Sequence, residues 1–439
     1  MENINTFNDA MDFIKYSEKF GSVLGLDTMT RLLHGLNNPQ DKLKFIHVAG
    51  TNGKGSTSTF ISTILAMSGC KIGRYISPSV ISYEEKIQVL CSENGEIKSN
   101  YIDKSNIVTC IQQIKNVCDD MVLKGFDHPT TFEIETAMCF LYFLSCNCDL
   151  VVLEVGLGGR LDATNVIKNV VCSVITSISM DHMEYLGDSL DKIAREKAGI
   201  IKENGAVVSY QQDEIVEKVL KEVSDSKNAK LIIADFNKIK EVSYDIDGSY
   251  FTYKTYKDLK IHLLGENQIY NAVVALHVMD ILKQFGYGIT EEAIRKGFLR
   301  TKFRCRFEVL RHKPIIVIDG AHNEDAAKVL AKNIRLYFRD KKITFLMGVL
   351  KDKDYEGILQ HTAHLAQNII TVTPNNKRGL DSTILANTAL KYCNHVENAD
   401  LIRDGVNLAL NTSSKEDVII VFGSLSYLKD VYSELGINN

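Results

Sequence analysis

A glycine-rich stretch near the N-terminus contains residue types that bind phosphate. The sequence HVAGTNGKGSTS, residues 47–58, follows the Walker A pattern except that Gly55 comes after Lys54, where a Ser or Thr is expected. Glycines in such a loop let backbone N–H groups face phosphate oxygens at the start of a helix. The lysine would add a positive charge, and Ser56 or Thr57 a hydroxyl. An ordinary tight turn between a strand and a helix is the alternative interpretation.

Acidic and imidazole side chains follow several predicted strands. Glu154 ends the apolar run DLVVLE, His182 follows VVCSVITSISMDH, and Asp319 and His322 lie in IDGAHN. The carboxyl ends of parallel strands meet at one sheet edge, where ligands bind, and a carboxylate there suits Mg²⁺. The alternatives are a helix cap or surface group for Glu154 and an N-cap with a satisfied histidine for the second-domain pair. A lone histidine such as His182 is usually structural.

Two other features near these residues are ambiguous or negative. Lys197, in AREKAGI, lies on a predicted helix that begins near Ser189, and its spacing alone favours a solvated surface lysine. The sequence GLGGR after Glu154 resembles half of a dinucleotide-binding fingerprint. Because Leu161 stands where the third glycine belongs, we exclude that interpretation.

The elements around the glycine loop have the order that phosphate binding requires. DKLKFIHVAG predicts a short buried strand that ends in Gly50. STSTFISTILAMSG predicts a helix that stops at Gly69 and carries one apolar face, formed by Phe60, Ile61, Ile64 and Leu65. Further apolar β-branched runs alternate with helical patterns. The sequence therefore predicts an α/β fold with a doubly wound, P-loop-type parallel sheet.

The pattern of predicted elements changes twice beyond this region. Residues 210–262 contain short Tyr-, Lys- and Asp-rich pieces, which predict antiparallel hairpins appended to the first domain. After FLRTKFRCRFEVL the α/β rhythm restarts with PIIVIDG, ITFLMGV, NIITVTP and VIIVFGS. This restart predicts a second, smaller Rossmann-like domain, so we divide the chain into residues 1–299 and 300–439.

Composition narrows the class of protein. The chain has 439 residues, a net charge of −4 and 45% hydrophobic residues, with no long basic run, so we expect no nucleic-acid partner. Its ten cysteines are scattered, and the one close pair, Cys146 and Cys148, lacks partners for a metal site. Neither a signal pattern nor a membrane-spanning apolar run is present. We expect a cytoplasmic protein that makes no membrane contact.

Several long sequence blocks together resemble a known family. HVAGTNGKGST, SPSVISYEEKIQV, LEVGLGGRLDATNVI, TSISMDHMEYLGDSLDKIAREKAGIIK and DGAHN are similar to the folylpolyglutamate synthase/dihydrofolate synthase family of the Mur ligase superfamily. The resemblance runs from LLHGLNNPQ to GSLSYL, nearly the whole chain. It implies an ATP- and Mg²⁺-dependent monomer that joins L-glutamate to the carboxylate of a folate or of dihydropteroate through an acyl phosphate.

The resemblance also implies roles for individual residues. The loop that binds the ATP phosphates would comprise Gly50, Thr51, Asn52, Gly53, Lys54, Gly55 and Ser56. Magnesium ligands would be Ser77, Glu154, His182 and a carbamylated Lys197, the last of which replaces the surface-lysine interpretation. Lys54, Glu154, His182 and Lys197 would form the catalytic set.

Nucleotide and substrate contacts would come from the helix after ENQ and from the second domain. The resemblance places Asn271 near adenine, and Arg306 and Asp319 near the triphosphate and ribose. His322 and Ser424 would surround the incoming glutamate. Domain closure about the hinge FLRTKFRC would complete this site.

Some positions depart from the family's pattern. Ser79 replaces a common His, Cys305 a common Gly, Lys377 a common Pro and Asn267 a frequent His. None of these removes a catalytic group. A different Mur-type ligase acting on a cell-wall precursor is the alternative function, and a nucleotide-binding regulator without ligase activity would lack the catalytic set.

Overall fold

A computed structural model describes residues 4–21, 25–79 and 81–437. The molecule contains two large, mostly parallel sheets with helices around them and one small antiparallel sheet, which confirms the predicted α/β class. In the described ranges, the longer helices cover these sheets. The helices of the N-terminal part are α1 (Phe7–Ser17), α2 (Asp27–Gly35), α3 (Lys54–Met67), α4 (Lys104–Leu123), α5 (Thr131–Ser145), α6 (Met183–Leu186), α7 (Leu190–Ala198), α8 (Glu214–Ser226), α9 (Glu266–Gln284) and α10 (Glu291–Arg300).

An eight-stranded sheet forms the centre of this part of the chain. Its strands are β1 (Phe45–Ala49), β2 (Ile72–Tyr75), β3 (Ile87–Glu93), β4 (Glu96–Tyr101), β5 (Leu150–Glu154), β6 (Val170–Ile175), β7 (Ala206–Ser209) and β8 (Lys230–Ile233). Their spatial order is β4-β3-β2-β5-β1-β6-β7-β8. Six of the strands run parallel, whereas β3 and β4 form an antiparallel edge that we did not predict. Strands β5 and β1 are neighbours, so Glu154 and the glycine loop share one sheet edge.

A three-stranded antiparallel sheet follows, as expected, but it is shorter than predicted. It comprises β9 (Ile239–Asp245), β10 (Gly248–Tyr253) and β11 (Tyr256–Ile261). The start at residue 210 was wrong, since residues 214–233 form α8 and strand β8 of the large sheet. Buried Val216, Val219 and Leu220 give α8 an apolar stripe at helical spacing, and this periodicity outweighs the polar composition of the segment.

A six-stranded sheet organises the C-terminal part. Its strands are β12 (Glu308–His312), β13 (Ile315–Ile318), β14 (Ile343–Met347), β15 (Asn368–Val372), β16 (Val396–Ala399) and β17 (Val418–Phe422). Their order is β12-β13-β17-β14-β15-β16, and only β12 runs antiparallel to its neighbour. The covering helices are α11 (Glu324–Tyr337), α12 (Tyr355–Thr362), α13 (Ser382–Ala389), α14 (Ile402–Thr412) and α15 (Leu428–Glu434). The short strands β12 and β16 were not expected.

Helix α3 differs from its expected amphipathic form. Every residue from Ser56 to Ala66 is buried, so the helix has no solvent face. The helix packs against α9 and α10. Several of its Ser and Thr hydroxyls bond the carbonyl four residues earlier, as Ser62 does with Ser58 at 2.6 Å. A helix that is buried on all sides shows no useful hydrophobic period.

The segment between the two large sheets runs from α10 to β12. Helix α10 ends at Arg300 and β12 begins at Glu308, so the predicted boundary at residue 300 falls at the end of α10. The division of the chain into residues 1–299 and 300–439 remains a prediction. None of the described helices combines the length and the apolar character needed to cross a bilayer.

Candidate functional site

The glycine loop is held beside the segment that follows β6. The Thr51 N–H donates to the Ser177 carbonyl at 2.8 Å, and the Thr51 hydroxyl donates to the Ser179 carbonyl at 3.2 Å. Gly53 caps α3 with φ +88°, a left-handed conformation that favours glycine. These contacts place the first N–H groups of α3 at the sheet edge, a suitable position for an anion.

Asn271 of α9 packs against this loop. Its Oδ1 would lie 2.6 Å from a Cβ on Gly53, and it accepts from the Thr57 hydroxyl at 3.3 Å and from the Tyr210 hydroxyl. Its Nδ2 donates to Gln268 Oε1 at 3.0 Å. Asn271 is therefore buried against the loop, and its predicted position near adenine stays a prediction.

Lys54 and Lys197 meet at the same carbonyl oxygen. The Lys54 Nζ donates to the Gly50 carbonyl at 3.1 Å and the Lys197 Nζ donates to it at 3.0 Å. Lys197 is only 4% exposed, which excludes the solvated-surface interpretation. Burial, with the nearby charge of Lys54, lowers the pKa of Lys197 to about 7. A neutral amine is therefore available near neutral pH.

Glu154 is a buried carboxyl at the end of β5. Burial raises the pKa of Glu154 to about 7, against the opposing attraction of Lys54 and Arg306 and a hydrogen bond from the Ser77 backbone. The structure therefore gathers the loop lysine, the predicted metal ligand Ser77 and a second-sheet arginine around this carboxyl. A buried carboxyl among cations is a suitable ligand for a hard metal ion.

The glycines of the GLGGR sequence allow close packing against helix α7. A Cβ on Gly159 would lie 2.7 Å from the Glu196 carbonyl and 3.0 Å from the Lys197 Cα. The Arg160 N–H donates to the same Glu196 carbonyl at 2.7 Å. The glycines thus let helix α7 approach the loop after Glu154, and this close approach brings Lys197 into the site.

His182 lies in the loop after β6, at the same sheet edge. Its side chain is 57% exposed and its Nε2 lies 3.7 Å from an Asp181 carboxylate oxygen. The charge of Asp181 reaches Lys197, so this loop is close to the lysine. Within residues 4–21, 25–79 and 81–437, no group of three or more His, Cys, Asp or Glu could hold a metal ion. The role of His182 as a metal ligand stays a prediction.

Arg306 lies in the turn before β12, and Asp319 directly follows β13, the antiparallel neighbour of β12. The Asp319 carboxylate accepts from the Phe307 N–H and from the Ala321 N–H, each at 2.8 Å. Burial raises the pKa of Asp319, while Arg306 opposes the shift. Cys305 has φ +57°, a left-handed conformation that favours glycine, the residue that the resemblance led us to expect at this position.

His322 and Ser424 lie on adjacent loops of the six-stranded sheet. The Gly423 N–H donates to the Ala321 carbonyl at 2.9 Å, which joins the two loops. The His322 Nδ1 lies 2.7 Å from the Gly320 carbonyl, and the Ser424 hydroxyl bonds Ser426 at 2.9 Å. The two predicted glutamate-binding residues are therefore neighbours at the strand tips.

A cavity of about 720 Å³ is lined by α1, the start of α5 and the loop after β5. Its wall includes Ser77, whose backbone bonds Glu154, and Gly156, two residues after Glu154 in the chain. Phe132 contributes an aromatic face and Asp162 a carboxyl group. The volume falls within the range of small-molecule sites.

Sequence reasoning missed several residues of this region. The cavity lining comes from α1, α5 and the loop after β5, which are far apart in the chain. Arg74 in β2 is a 6%-exposed cation whose charge reaches Glu154, and a charge within the short strand IGRY was its only signal. Phe303 packs against Gly55, a contact between distant segments for which we find no local signal.

Comparison with known proteins places these motifs in one family. The model described as Mur ligase middle domain matches residues 48–279, and the Mur ligase, glutamate ligase domain matches residues 305–425. A dihydrofolate synthase/folylpolyglutamate synthase from Bacillus subtilis is 31% identical over 448 residues, covering 98% of this chain and 99% of that protein.

Solved structures agree over the same length. A folylpolyglutamate synthase from Thermotoga maritima superposes with a TM-score of 0.84 at 31% identity and 98% coverage of both chains. FolC from E. coli, solved in complex with DHPP and ADP, has a TM-score of 0.82 at 26% identity and 99% coverage of both chains. The chain therefore belongs to the folylpolyglutamate synthase/dihydrofolate synthase family of Mur ligases, and it is an ATP-dependent ligase.

Proposed function

We propose that this chain joins L-glutamate to the carboxylate of dihydropteroate, of a folate, or of both. The observation that carries the proposal is the cavity whose wall includes Ser77. The Ser77 backbone bonds Glu154, whose Oε2 would lie 3.5 Å from a Cβ on Gly55 of the phosphate loop. An acid bound in this cavity can extend its carboxylate to the γ-phosphate position. The relative FolC is a complex with DHPP and ADP, which agrees with a pterin acid in such a site.

The lining of the cavity suits a flat ring with many hydrogen-bond donors. Phe132 offers a stacking face, and Met11, Ile14 and Leu161 add apolar surface. Asp162 holds its carboxylate in place by accepting from the Leu157 N–H at 2.8 Å. Amino and ring N–H groups of a pterin would face the acidic side chains, while the benzoyl end points toward Glu154.

The reaction has two steps. The carboxylate oxygen of the acid attacks the γ-phosphorus of ATP, and the bond to ADP breaks, leaving an acyl phosphate. The glutamate nitrogen then attacks the acyl carbon, phosphate leaves with the C–O electrons, and the nitrogen loses a proton. Lys54 and Arg306 would neutralise charge on the transferring phosphoryl group, with the loop N–H groups of residues 50–56. His322 and Ser424 would hold the incoming glutamate.

The described side chains form no cluster of three or more His, Cys, Asp or Glu, so the proposed Mg²⁺ site depends on a hydroxyl and on a carbamate as further ligands. Ser77, Glu154, His182 and a carbamate on Lys197 offer mainly oxygen ligands, which this hard cation prefers. When bound, Mg²⁺ would neutralise phosphate charge. The buried neutral amine of Lys197 supports the modification, because a neutral nitrogen attacks CO₂ and releases a proton to give the anionic carbamate.

We further assign residues 1–299 to ATP binding and residues 300–439 to the glutamate side of the reaction. The matches to the middle-domain and glutamate-ligase-domain models support this division. We place the enzyme in the cytoplasm, where ATP is available, and expect a monomer. Sedimentation of the purified chain checks the monomer.

Phosphate release from ATP tests the proposed function. The assay contains Mg²⁺, L-glutamate and one acid at a time, namely dihydropteroate, a reduced folate or a muropeptide precursor, with mass spectrometry of the product. We expect release only with pterin acids, together with a product heavier by one glutamyl residue. Stimulation by the muropeptide alone would refute the proposal. The Lys54→Met variant should be inactive, whereas Lys192→Met, at an exposed lysine paired with Asp188, is the matched control.

A further inference from the structure

The segment between the two large sheets runs along the phosphate-loop helix. Helix α10 packs on α3, where a Cβ on Gly297 would lie 2.6 Å from the Ile64 side chain. The Phe298 and Phe60 rings meet edge to face, with centroids 5.4 Å apart. The chain thus leads from the C-terminal half of α3 toward its first turn, at the nucleotide loop.

Phe303 then lies on the glycine that breaks the Walker A pattern. A Cβ on Gly55 would lie 2.7 Å from Phe303 Cζ and 2.9 Å from its Cε1. The next nearest atom is Glu154 Oε2, at an ordinary 3.5 Å. Gly55 has no positive φ and lies in the first turn of α3, where alanine is normally preferred over glycine. The ring of Phe303 is therefore the obstacle to a side chain at this position.

The turn that follows Phe303 is fixed to the C-terminal sheet. The Cys305 N–H donates to Glu308 Oε2 at 2.9 Å, and the Tyr432 hydroxyl donates to the same oxygen at 2.6 Å. The Gly320 N–H donates to the Cys305 carbonyl at 2.8 Å. Phe303 thus connects a rigid turn of the second sheet with the first turn of α3.

We propose that Phe303 is a positioning residue that seats this turn on the nucleotide loop and thereby aligns Arg306 with the phosphate site. The Arg306 guanidinium carbon lies 5.8 Å from the Phe303 ring centroid, and its charge reaches Glu154. Gly55 lacks a side chain because the ring occupies the space that a Walker Ser or Thr would fill. The inference rests on the proposed binding of the ATP phosphates at the glycine loop but not on the identity of the acid substrate.

A double-mutant cycle tests the proposal by ADP affinity, measured calorimetrically on the full chain. We expect Phe303→Ala and Gly55→Ala each to weaken ADP binding by about 10-fold, and the double variant to be no weaker than either single variant. Phe285→Ala, at a 58%-exposed phenylalanine at the end of α9, is the matched control and should leave affinity unchanged.

Two results would overturn the inference. In one, Gly55→Ala weakens binding by the same factor with and without Phe303, which would show that the glycine serves the nucleotide directly. In the other, folded Phe303→Ala binds ADP as wild type does. If Phe303→Ala does not fold, Phe303→Leu replaces it in the cycle, and thermal melting checks each variant. If the wild-type protein does not ligate glutamate to any pterin acid, but ADP affinity depends on Gly55 and Phe303 as expected, only the proposed substrates are refuted.

The kinetic parameters provide a second readout. Misalignment of Arg306 should lower kcat and raise the KM for ATP, while the KM for the pterin acid stays unchanged. A merely structural loss would lower the active fraction and leave both KM values unaltered. The latter pattern would also contradict the positioning role.

Discussion

The carbonyl oxygen of Gly50 accepts hydrogen bonds from both Lys54 and Lys197, at 3.1 Å and 3.0 Å. Two ammonium groups at one acceptor repel each other, and Lys197 is the one enclosed by protein. Burial and this repulsion lower the pKa of Lys197 to about 7. The glycine loop therefore holds two lysines at one carbonyl, and Lys197, the one we propose to be carbamylated, has the lowered pKa.

Replacement of Lys197 by alanine should nearly abolish ligation. The carbamate would supply an anionic oxygen ligand, and we expect its loss to lower kcat by about 100-fold or more. A short carboxylate such as propionate should partly restore activity, because it can occupy the vacated space. Steady-state phosphate release measures both effects. Lys192→Ala on the same helix should be unaffected, and full activity without Lys197 would contradict the carbamate role.

The buried amine of Lys197 should also make stability depend on pH. Its pKa is about 7 in the folded protein and near 10.5 when unfolded, so between these values the unfolded chain binds one more proton. The free energy of unfolding should then rise with pH above 7, by at most about 1.4 kcal/mol per pH unit from this group. Lys197→Met should lack that rise.

Urea unfolding in CO₂-free buffer between about pH 7 and pH 9 measures the two slopes. Lys192→Met, at an exposed lysine, should keep the wild-type slope. Equal slopes for wild type and Lys197→Met would show that the folded amine keeps its ordinary pKa. Glu154 has the opposite sign. Its raised pKa, about 7 against 4.5, makes its own contribution to stability fall as pH rises between those values.

Position 305 should accept glycine better than a branched residue. Cys305 has φ +57°, so Cys305→Gly should relieve backbone strain. This gain should roughly balance the loss of thiol packing and the greater conformational entropy of the unfolded chain. We expect its free energy of unfolding to stay within about 1 kcal/mol of wild type, and its activity to be retained. Cys305→Val should destabilise by about 1–3 kcal/mol. Denaturant melts and ADP affinity check both variants, and equal stability of the two would contradict the backbone explanation.

Phe132 should contribute to the binding of the acid substrate. Its ring lines the cavity, and aromatic stacking of a base-like ring is worth about 1–3 kcal/mol. We therefore expect Phe132→Ala to raise the KM for the pterin acid by about 10-fold, with ADP affinity unchanged. Phe132→Tyr should keep most of the binding. Phe126→Ala, at a 40%-exposed ring, is the control. An unchanged KM in folded Phe132→Ala would place the acid elsewhere.

Much of the fold could be predicted because its signals are local. Apolar runs closed by polar residues identified β1, β5, β6, β13 and β17. Helix α8 and the antiparallel edge β3-β4 were not predicted although each has a local signal: an apolar stripe at helical spacing in α8, and the Asn94-Gly95 turn that joins β3 to β4. The interpretation of α3 as amphipathic was wrong because neighbouring helices cover all of it.

Some properties of the site could likewise be predicted from the sequence, and others could not. The sequence by itself determined the phosphate loop, the carboxyl and histidine at the strand ends, and the family, because these depend on residue type and spacing along the chain. Only the tertiary structure decided that Lys197 is buried beside Lys54, that Phe303 lies over Gly55, and that α1 and α5 enclose a cavity. Burial and contact between distant segments set these properties, and neither is encoded in the local pattern.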